Sequence, residues 1–349
     1  MTDEKKIEAG YGASLDGLWP YSYDSCDVGT LQNQTLGDYP EAANNKGGQN
    51  GATLSYAAGQ RLSRCTCMDE VHPGPKHPDG TFVGRAASEI DVIEAQIDQE
   101  KKIGTLSMSG QWCPFDLGYE WNYEKINIVH DGTLDEQFDK INSYQGGNQQ
   151  QSTSVLVLAD QDAYQYSGGL FSEYGAQVIP GTGPDASIAW TVDDEMRWQV
   201  FGDAIGPNST LGISERVVSR EPMYIILNLG ISYNFGGISD DIWTGNWPYI
   251  MQVEWVRVYQ PKDSINIGCD PPEMPTASYI SYFEEAYTNK NLTTWKQYQN
   301  SSSKVKDVKN ALLYQDDDDC QIPMSIVNDK NLIGKVENDA KKAPHTNNI

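Results

Sequence analysis

The stretch from residue 89 to residue 94 constrains the fold most, because it alternates acidic side chains with β-branched ones. Val and Ile favour strands, and side chains two positions apart on a strand share a face. Glu89 and Asp91 are therefore predicted to lie on one face of a sheet. Ile90 and Val92 are predicted to turn into a core on the other face.

Glu94 is out of step with this pattern, because it lies an odd number of positions after Glu89. In a regular strand it would point to the opposite face. A β-bulge near Val92 and Ile93 would return it to the carboxylate face, and bulges are common beside active sites. We therefore predict a bulge at this point of the strand.

Three acids on one face of a strand repel one another. At least one of them is expected to hold its proton well above the usual Glu pKa of about 4.3. Glycoside hydrolysis uses a carboxylate beside a carboxylic acid, and retaining enzymes place the two about 5–5.5 Å apart. The alternative is a solvated edge strand with three surface acids. That alternative accounts for Glu89 and Asp91 but not for the apolar residues between the polar ones.

The composition favours many short strands joined by turns. Gly (32), Tyr (20), Pro (17) and Trp (9) are plentiful, as in an all-β sandwich or barrel. A length of 349 residues allows one large domain with a tail, or two domains. The net charge of −24 argues against nucleic acid and against anionic membrane surfaces as partners. Abundant aromatic residues with an excess of acids suit a neutral polysaccharide.

The cysteines and glycosylation sequons favour an oxidising, secretory compartment. The spacing of the six cysteines fits no zinc pattern and leaves their pairing open. The sequon asparagines are Asn33, Asn208, Asn291 and Asn300. No apolar run approaches the roughly 20 residues of a membrane span, and residues 1–9 do not resemble a signal peptide. We therefore expect the chain to lack its natural N-terminus.

Strand-length apolar runs and one amphipathic helix follow along the chain. The predicted strands cover residues 103–111, 154–158, 188–192, 195–201, 223–230 and 251–259. The strands on either side of Asp193 and Asp194 are predicted to form a hairpin. Residues 223–230 are the most apolar and are predicted to form a central strand. The helix is predicted from Thr276 to Tyr287.

Several residues are candidates for sugar binding. They are the aromatic residues Trp19, Tyr21, Trp112 and Trp121, and Asn228 as a buried amide that supports the cleft. The alternative for the aromatic residues is burial in loops or in the core, and the alternative for Asn228 is that its amide only satisfies a bulge. His72 and His77 favour a solvated loop over a metal site, and Asp316 to Asp319 favour a solvated tail over calcium binding. We expect neither a metal nor a cofactor.

Several motifs resemble known families. The Glu-Ile-Asp-x-x-Glu strand resembles the catalytic strand of glycoside hydrolase family 16, the laminarinase-like β-jelly rolls. Other motifs, in the expected order over residues 10–295, resemble the fungal β-1,6-glucan synthesis-associated proteins. These motifs are residues 21–27, 65–67, 221–223, 227–232, 256–260, 269–271 and 291–295.

The resemblance implies a concanavalin A-like, jelly-roll β-sandwich. It implies Glu89 as nucleophile, Asp91 as the assisting acid and Glu94 as general acid/base. It also implies a type II membrane protein of the secretory pathway, either in the endoplasmic reticulum or Golgi lumen or at the cell surface. We expect this sequence to lack the family's membrane anchor and first sandwich strands.

We therefore expect four parts. These are a non-native-looking N-terminus (1–9), a sandwich lacking its N-terminal strands (10–260), a linker with a helical extension (261–299) and a polar, disordered tail (300–349). The expected function is that of a retaining glycosidase or transglycosylase on cell-wall β-glucan. The alternatives are a non-catalytic glucan-binding assembly factor and a structural scaffold of the secretory pathway.

Overall fold

The computed structural model describes residues 63–65, 71–85, 88–112, 119–129, 139–147, 150–209, 213–233, 235–245, 247–289 and 291–292. The strands are β1 (Glu89–Asp98), β2 (Ile103–Trp112), β3 (Ile126–Ile128), β4 (Lys140–Ile141), β5 (Gly146–Gly147), β6 (Gln150–Leu158), β7 (Tyr174–Ile179), β8 (Ser187–Val192) and β9 (Glu195–Phe201). The helices are α1 (Ala277–Tyr282) and α2 (Glu284–Thr288). Single 3₁₀ turns form at Ser63–Cys65, Tyr123–Lys125, Gln161–Ala163, Gly202–Ala204, Asp240–Thr244 and Lys262–Ser264.

These strands form two antiparallel sheets. The first has the order β1-β2-β6-β4, with β5 also paired to β6, and the second has the order β3-β9-β8-β7. The prediction of an all-β sandwich is confirmed, and so are the strands at residues 103–111 and 154–158. The jelly-roll connectivity and the division of the chain into four parts stay predictions.

The core lies between the two sheets and consists of inward-facing side chains from both. The indoles of Trp190 and Trp198 stack at its centre, with ring centroids 4.2 Å apart and planes 2° apart. A buried ion pair joins Arg197 of β9 to Asp139, which precedes β4. Residues from the first sheet in this core include Leu106, Met108, Trp112, Val155 and Val157. Because Arg197 lies in the second sheet and Asp139 directly precedes a strand of the first, their pairing fixes one sheet against the other.

The hairpin predicted at residues 188–201 is confirmed as β8 and β9. Asp193 and Asp194 connect them with φ values of 50° and 65°. Positive φ at both central residues is typical of the type I′ turn that matches the twist of paired strands. Asp193 also accepts hydrogen bonds from the main-chain N–H of Glu173 and the hydroxyl of Ser172, each at 2.7 Å.

The predictions of strands at residues 223–230 and 251–259 are wrong. Both segments lie outside the two sheets, and their apolar side chains are exposed, with Leu227 57% and Val258 69% accessible. An apolar run indicates which side chains favour burial, but a strand also needs a partner strand for its backbone. Neither segment is paired with any of the described strands.

The helix predicted from Thr276 to Tyr287 forms, but it is broken at Phe283 into α1 and α2. Asp270, in the preceding linker, accepts hydrogen bonds from the main-chain N–H groups of Ala277 and Thr276, at 2.9 and 2.6 Å. These two bonds lower the pKa of the Asp270 carboxyl, the bond from Ala277 having the larger effect. Asp270 therefore caps the start of α1.

Candidate active site

The predicted bulge is present in β1 and places the three acids on one face. The register between β1 and β2 shifts between Asp91 and Glu94. The cross-strand pairs are Glu89 with Gln111, Asp91 with Ser109, and Glu94 with Ser107. Because the three partners on β2 are two residues apart, they share a face. Glu89, Asp91 and Glu94 therefore share the face opposite the core.

The same bulge changes which apolar residue of β1 enters the core. Val92 and Ile93 together lie opposite the single residue Met108. Ile90 and Ile93 pack against the core, whereas Val92 is 36% exposed. The prediction that Val92 is a core residue is wrong. The extra residue of the bulge changes the alternation of faces, so that Ile93 rather than Val92 points into the core.

Asp91 is the most buried of the three acids and has two hydrogen-bond donors. Its Oδ2 accepts from the hydroxyl of Ser109 at 2.8 Å and from the side-chain amide of Gln111 at 3.0 Å. The Ser109 Oγ also lies 3.5 Å from the Oε2 of Glu94. Glu89 and Glu94 are half-buried.

The second sheet holds the main chain of β1 beside the bulge. The indole Nε1 of Trp190, on β8, donates to the main-chain carbonyl of Asp91 at 2.9 Å. The ring of Trp190 is fully buried and stacked on Trp198. The position of Asp91 is therefore fixed by both sheets.

Sequence reasoning missed Ser109, Gln111 and Trp190. A signal for the first two is present, because residues 105–112 alternate polar and apolar side chains with period two. Placed antiparallel to the acidic strand, that polar row meets the carboxylates. For Trp190 no such signal exists, because the contact joins residues 99 positions apart in different sheets.

The sugar-binding prediction for Trp112 and Trp121 is corrected, because both rings lie in the core. Trp112 is 2% exposed on the face of β2 opposite the acids, and its Nε1 donates to the hydroxyl of Thr153 at 3.1 Å. Trp121 is 3% exposed and packs against Trp198. A ring that stacks on a sugar needs an accessible face, which neither ring has.

Asn228 was predicted as a buried amide in a central strand, and this is also wrong. It is exposed in a segment without regular secondary structure, outside both sheets. Of the sequon asparagines, Asn208 is half-buried and Asn291 is exposed. Trp19, Tyr21, Asn33 and Asn300 lie outside the described residues.

The His72 ring is not a solvated loop side chain, because both of its nitrogens have partners within the protein. Its Nδ1 accepts from the main-chain N–H of Gly74 at 2.9 Å, and its Nε2 lies 3.2 Å from the hydroxyl of Ser63. Its ring stacks on Phe82 at 4.2 Å. Burial lowers the pKa of His72 well below 6.5, helped by the charges of Arg85 and Lys76.

The described residues contain no cluster of three or more side chains suited to a metal ion. Within the same part of the chain, no helix has the length and apolar content needed to cross a bilayer.

Comparison with known proteins gives the family. The family of beta-glucan synthesis-associated proteins SKN1/KRE6/Sbg1 matches residues 6–311. The beta-glucan synthesis-associated protein KRE6 of Saccharomyces cerevisiae is 37% identical over 294 residues, which cover 82% of this chain and 36% of that protein. SKN1 of Candida albicans is also 37% identical over 294 residues, with 82% and 35% covered.

The chain thus spans about a third of the length of these curated relatives. No solved structure matches it. Because the family match covers most of the chain, the protein belongs to the SKN1/KRE6/Sbg1 family of beta-glucan synthesis-associated proteins.

Proposed function

We propose that this protein is a retaining glycosidase or transglycosylase that acts on cell-wall β-glucan. The observation that carries the proposal is the bulged register, which puts Glu89, Asp91 and Glu94 on one face of β1. An unbulged strand would turn Glu94 into the core, where a carboxylate has no role in sugar chemistry. Retaining glycosidases need two carboxyl groups on one side of a cleft, one as nucleophile and one as acid.

In this mechanism Glu89 attacks the anomeric carbon while Glu94 gives its proton to the leaving oxygen. The glycosidic bond breaks, and an ester bond forms between Glu89 and the sugar. Glu94, now ionised, then takes a proton from water or from a sugar hydroxyl, whose oxygen displaces Glu89. Asp91, held by Ser109 and Gln111, is the assisting acid beside the nucleophile.

The substrate class and the location are part of the proposal. The names of the relatives associate them with beta-glucan synthesis, so we propose β-glucan as the polysaccharide that the protein contacts. We place it in the lumen of the secretory pathway or at the cell surface, contributing to β-1,6-glucan in the wall. The sequons and the acidic net charge of −24 agree with that compartment and with a neutral ligand.

The substitution Glu89→Gln tests the nucleophile in the full chain. We expect it to lower kcat by about 10³-fold or more on β-1,3- and β-1,6-glucan oligosaccharides, because the amide cannot form the ester. Glucan binding and thermal stability should stay at the wild-type level. The matched control is Glu100→Gln, the same change on an exposed turn after β1, which should keep full activity. Turnover that persists in Glu89→Gln would remove Glu89 from this role.

A non-catalytic assembly factor is the second candidate, because the relatives are named for glucan synthesis rather than for hydrolysis. It predicts that wild-type protein binds glucan oligosaccharides but yields no shortened or transferred product by mass spectrometry. New products from the wild type that are absent with Glu89→Gln would decide for the enzyme.

A further inference from the structure

The hydroxyl of Ser109 lies between two of the three acids. Its Oγ is 2.8 Å from Asp91 Oδ2 and 3.5 Å from Glu94 Oε2. A hydroxyl has a single proton to donate and lone pairs that accept. Ser109 therefore gives its proton to one acid at a time, and the shorter distance assigns it to Asp91.

The donors around Asp91 suit an ionised carboxyl group, which only accepts hydrogen bonds. Ser109 and Gln111 both donate to the same oxygen, Oδ2. With the Ser109 proton used for Asp91, an ionised Glu94 would face the hydroxyl oxygen without a donor from it. A proton-bearing Glu94 instead has an acceptor in the free lone pair of Ser109 Oγ.

We propose that Ser109 is a positioning residue that holds the reactive proton on Glu94 by linking it to the ionised Asp91. This inference rests on the proposed function, since it assigns the protonation states with which the first step begins. The chain of bonds runs from Glu94 to the Ser109 oxygen, and from the Ser109 hydroxyl to Asp91.

The link also serves the second half of the reaction. When Glu94 has given its proton to the leaving oxygen, it is ionised and can accept a hydrogen bond from the Ser109 hydroxyl. The Ser109 hydroxyl rotates from Asp91 to Glu94, and Asp91 keeps the bond from Gln111. When Glu94 later takes a proton from the attacking water or sugar hydroxyl, Ser109 returns to Asp91. No proton is gained or lost by Ser109 in this cycle.

The fold holds Ser109 firmly enough for this role. It lies in the middle of β2 and is 1% exposed, with β1 on one side and β6 on the other, where it pairs with Ser154. Trp190, on the second sheet, donates a hydrogen bond to the main-chain carbonyl of Asp91 and fixes its position. Rotation of the Ser109 hydroxyl, without movement of the strand, is therefore enough to transfer its hydrogen bond between Asp91 and Glu94.

The substitution Ser109→Ala in the full chain tests the proposal through the pH profile of kcat/KM on a glucan oligosaccharide. Glu94 loses an acceptor for its proton, so the alkaline limb of the profile should move to lower pH by roughly one unit. We expect kcat to fall about tenfold with KM nearly unchanged. Ser109→Thr keeps a hydroxyl and should restore the alkaline limb.

The matched control is Ser107→Ala, two residues along the same face of β2 and equally buried. Ser107 has no hydrogen bond to either Asp91 or Glu94 among the described residues, so its loss should leave the pH profile as in the wild type. A purely structural role for Ser109 would lower Tm without moving the limb. An unmoved limb, or one displaced to higher pH, overturns the proposal.

A second measurement separates this inference from the proposed function. The side-chain carboxyl carbons of glutamate, labelled with ¹³C and titrated by NMR, report when Glu94 ionises in the resting protein. We expect that ionisation to occur at lower pH in Ser109→Ala than in the wild type. If the wild type yields no glucan product, the proposed function fails, and this titration still decides whether Ser109 holds the proton on Glu94.

Discussion

At the scale of single residues, Arg85 joins three separate segments of the chain. Its guanidinium pairs with Glu221 at 3.2 Å and donates to the main-chain carbonyls of Gly74 and Pro275, each at 2.7 Å. The side chain is 1% exposed, and burial lowers the pKa of Arg85, although the charge of Glu221 opposes that shift. Arg85 therefore ties the segment before β1 to the linker that precedes α1.

We expect Arg85→Met to lower the free energy of unfolding by about 3–5 kcal/mol, because it removes the charge that pairs with Glu221 and the donor of two main-chain carbonyls. Chemical denaturation measures this directly. The control is Arg64→Met, which breaks the half-exposed pair with Asp79 and should cost about 1 kcal/mol or less. Equal losses for the two variants would show that Arg85 does not join these segments.

His72 is expected to make stability depend on pH. Its pKa is lowered in the folded protein, so below about pH 6.5 the unfolded chain binds a proton that the folded chain does not. The free energy of unfolding should therefore fall as pH drops from about 6.5, until the lowered pKa of the folded state is reached.

Denaturation at pH 7.0, 6.0 and 5.0 measures this fall, and His72→Gln should remove most of it. The carboxylates with lowered pKa values, Asp79 and Asp270, lose their contribution only below the usual Asp pKa of about 3.9. A slope between pH 6.5 and 5 that survives in His72→Gln would contradict the assignment.

At the scale of elements, the bulge in β1 is the feature on which the site depends. It predicts opposite outcomes for two neighbouring truncations. Ile93→Ala should lower the free energy of unfolding by about 2 kcal/mol, because Ile93 packs against the core. Val92→Ala should change it by no more than about 0.5 kcal/mol, because Val92 is 36% exposed. In an unbulged strand these two results would be exchanged.

The bulge in β1 is predictable from the sequence, because the residues that require it are neighbours in the chain. An odd spacing between Glu89 and Glu94, filled with β-branched residues, needs a bulge if all three acids share a face. The prediction that Trp112 binds sugar is wrong because the sequence alone does not give the register of its strand. Aromatic density shows that rings are buried or stacked, but only the register of β2, in which Gln111 meets Glu89, tells which face each ring takes.

The hairpin of β8 and β9 was also predictable, since Asp193 and Asp194 accept the positive φ of its turn. The contact of Trp190 with Asp91 was not. It depends on how the two sheets are packed against each other, and neither strand carries a local signal of that packing.

At the scale of the whole molecule, two apolar segments, residues 223–231 and 250–259, lie outside the described sheets. Most of their side chains are apolar, and these are exposed, among them Ile225 (58%), Leu229 (60%) and Val258 (69%). Both segments are recognisable in the sequence as apolar runs, which indicate side chains that favour burial. The prediction that they form strands is wrong, because a strand needs a partner, and periodicity does not show which distant segment pairs with it.

Exposed apolar segments of this length promote association between molecules. We therefore expect the purified chain to self-associate, and we expect Ile225→Glu and Val258→Glu to reduce light scattering at equal protein concentration. The thermal stability of the sandwich should not change, since neither residue packs against its core. The control is Gln252→Glu, which adds the same charge at an exposed polar position between the two. If Gln252→Glu reduces scattering as much as the other two, net charge rather than the apolar side chains drives association. If none of the three reduces it, other surfaces hold the molecules together.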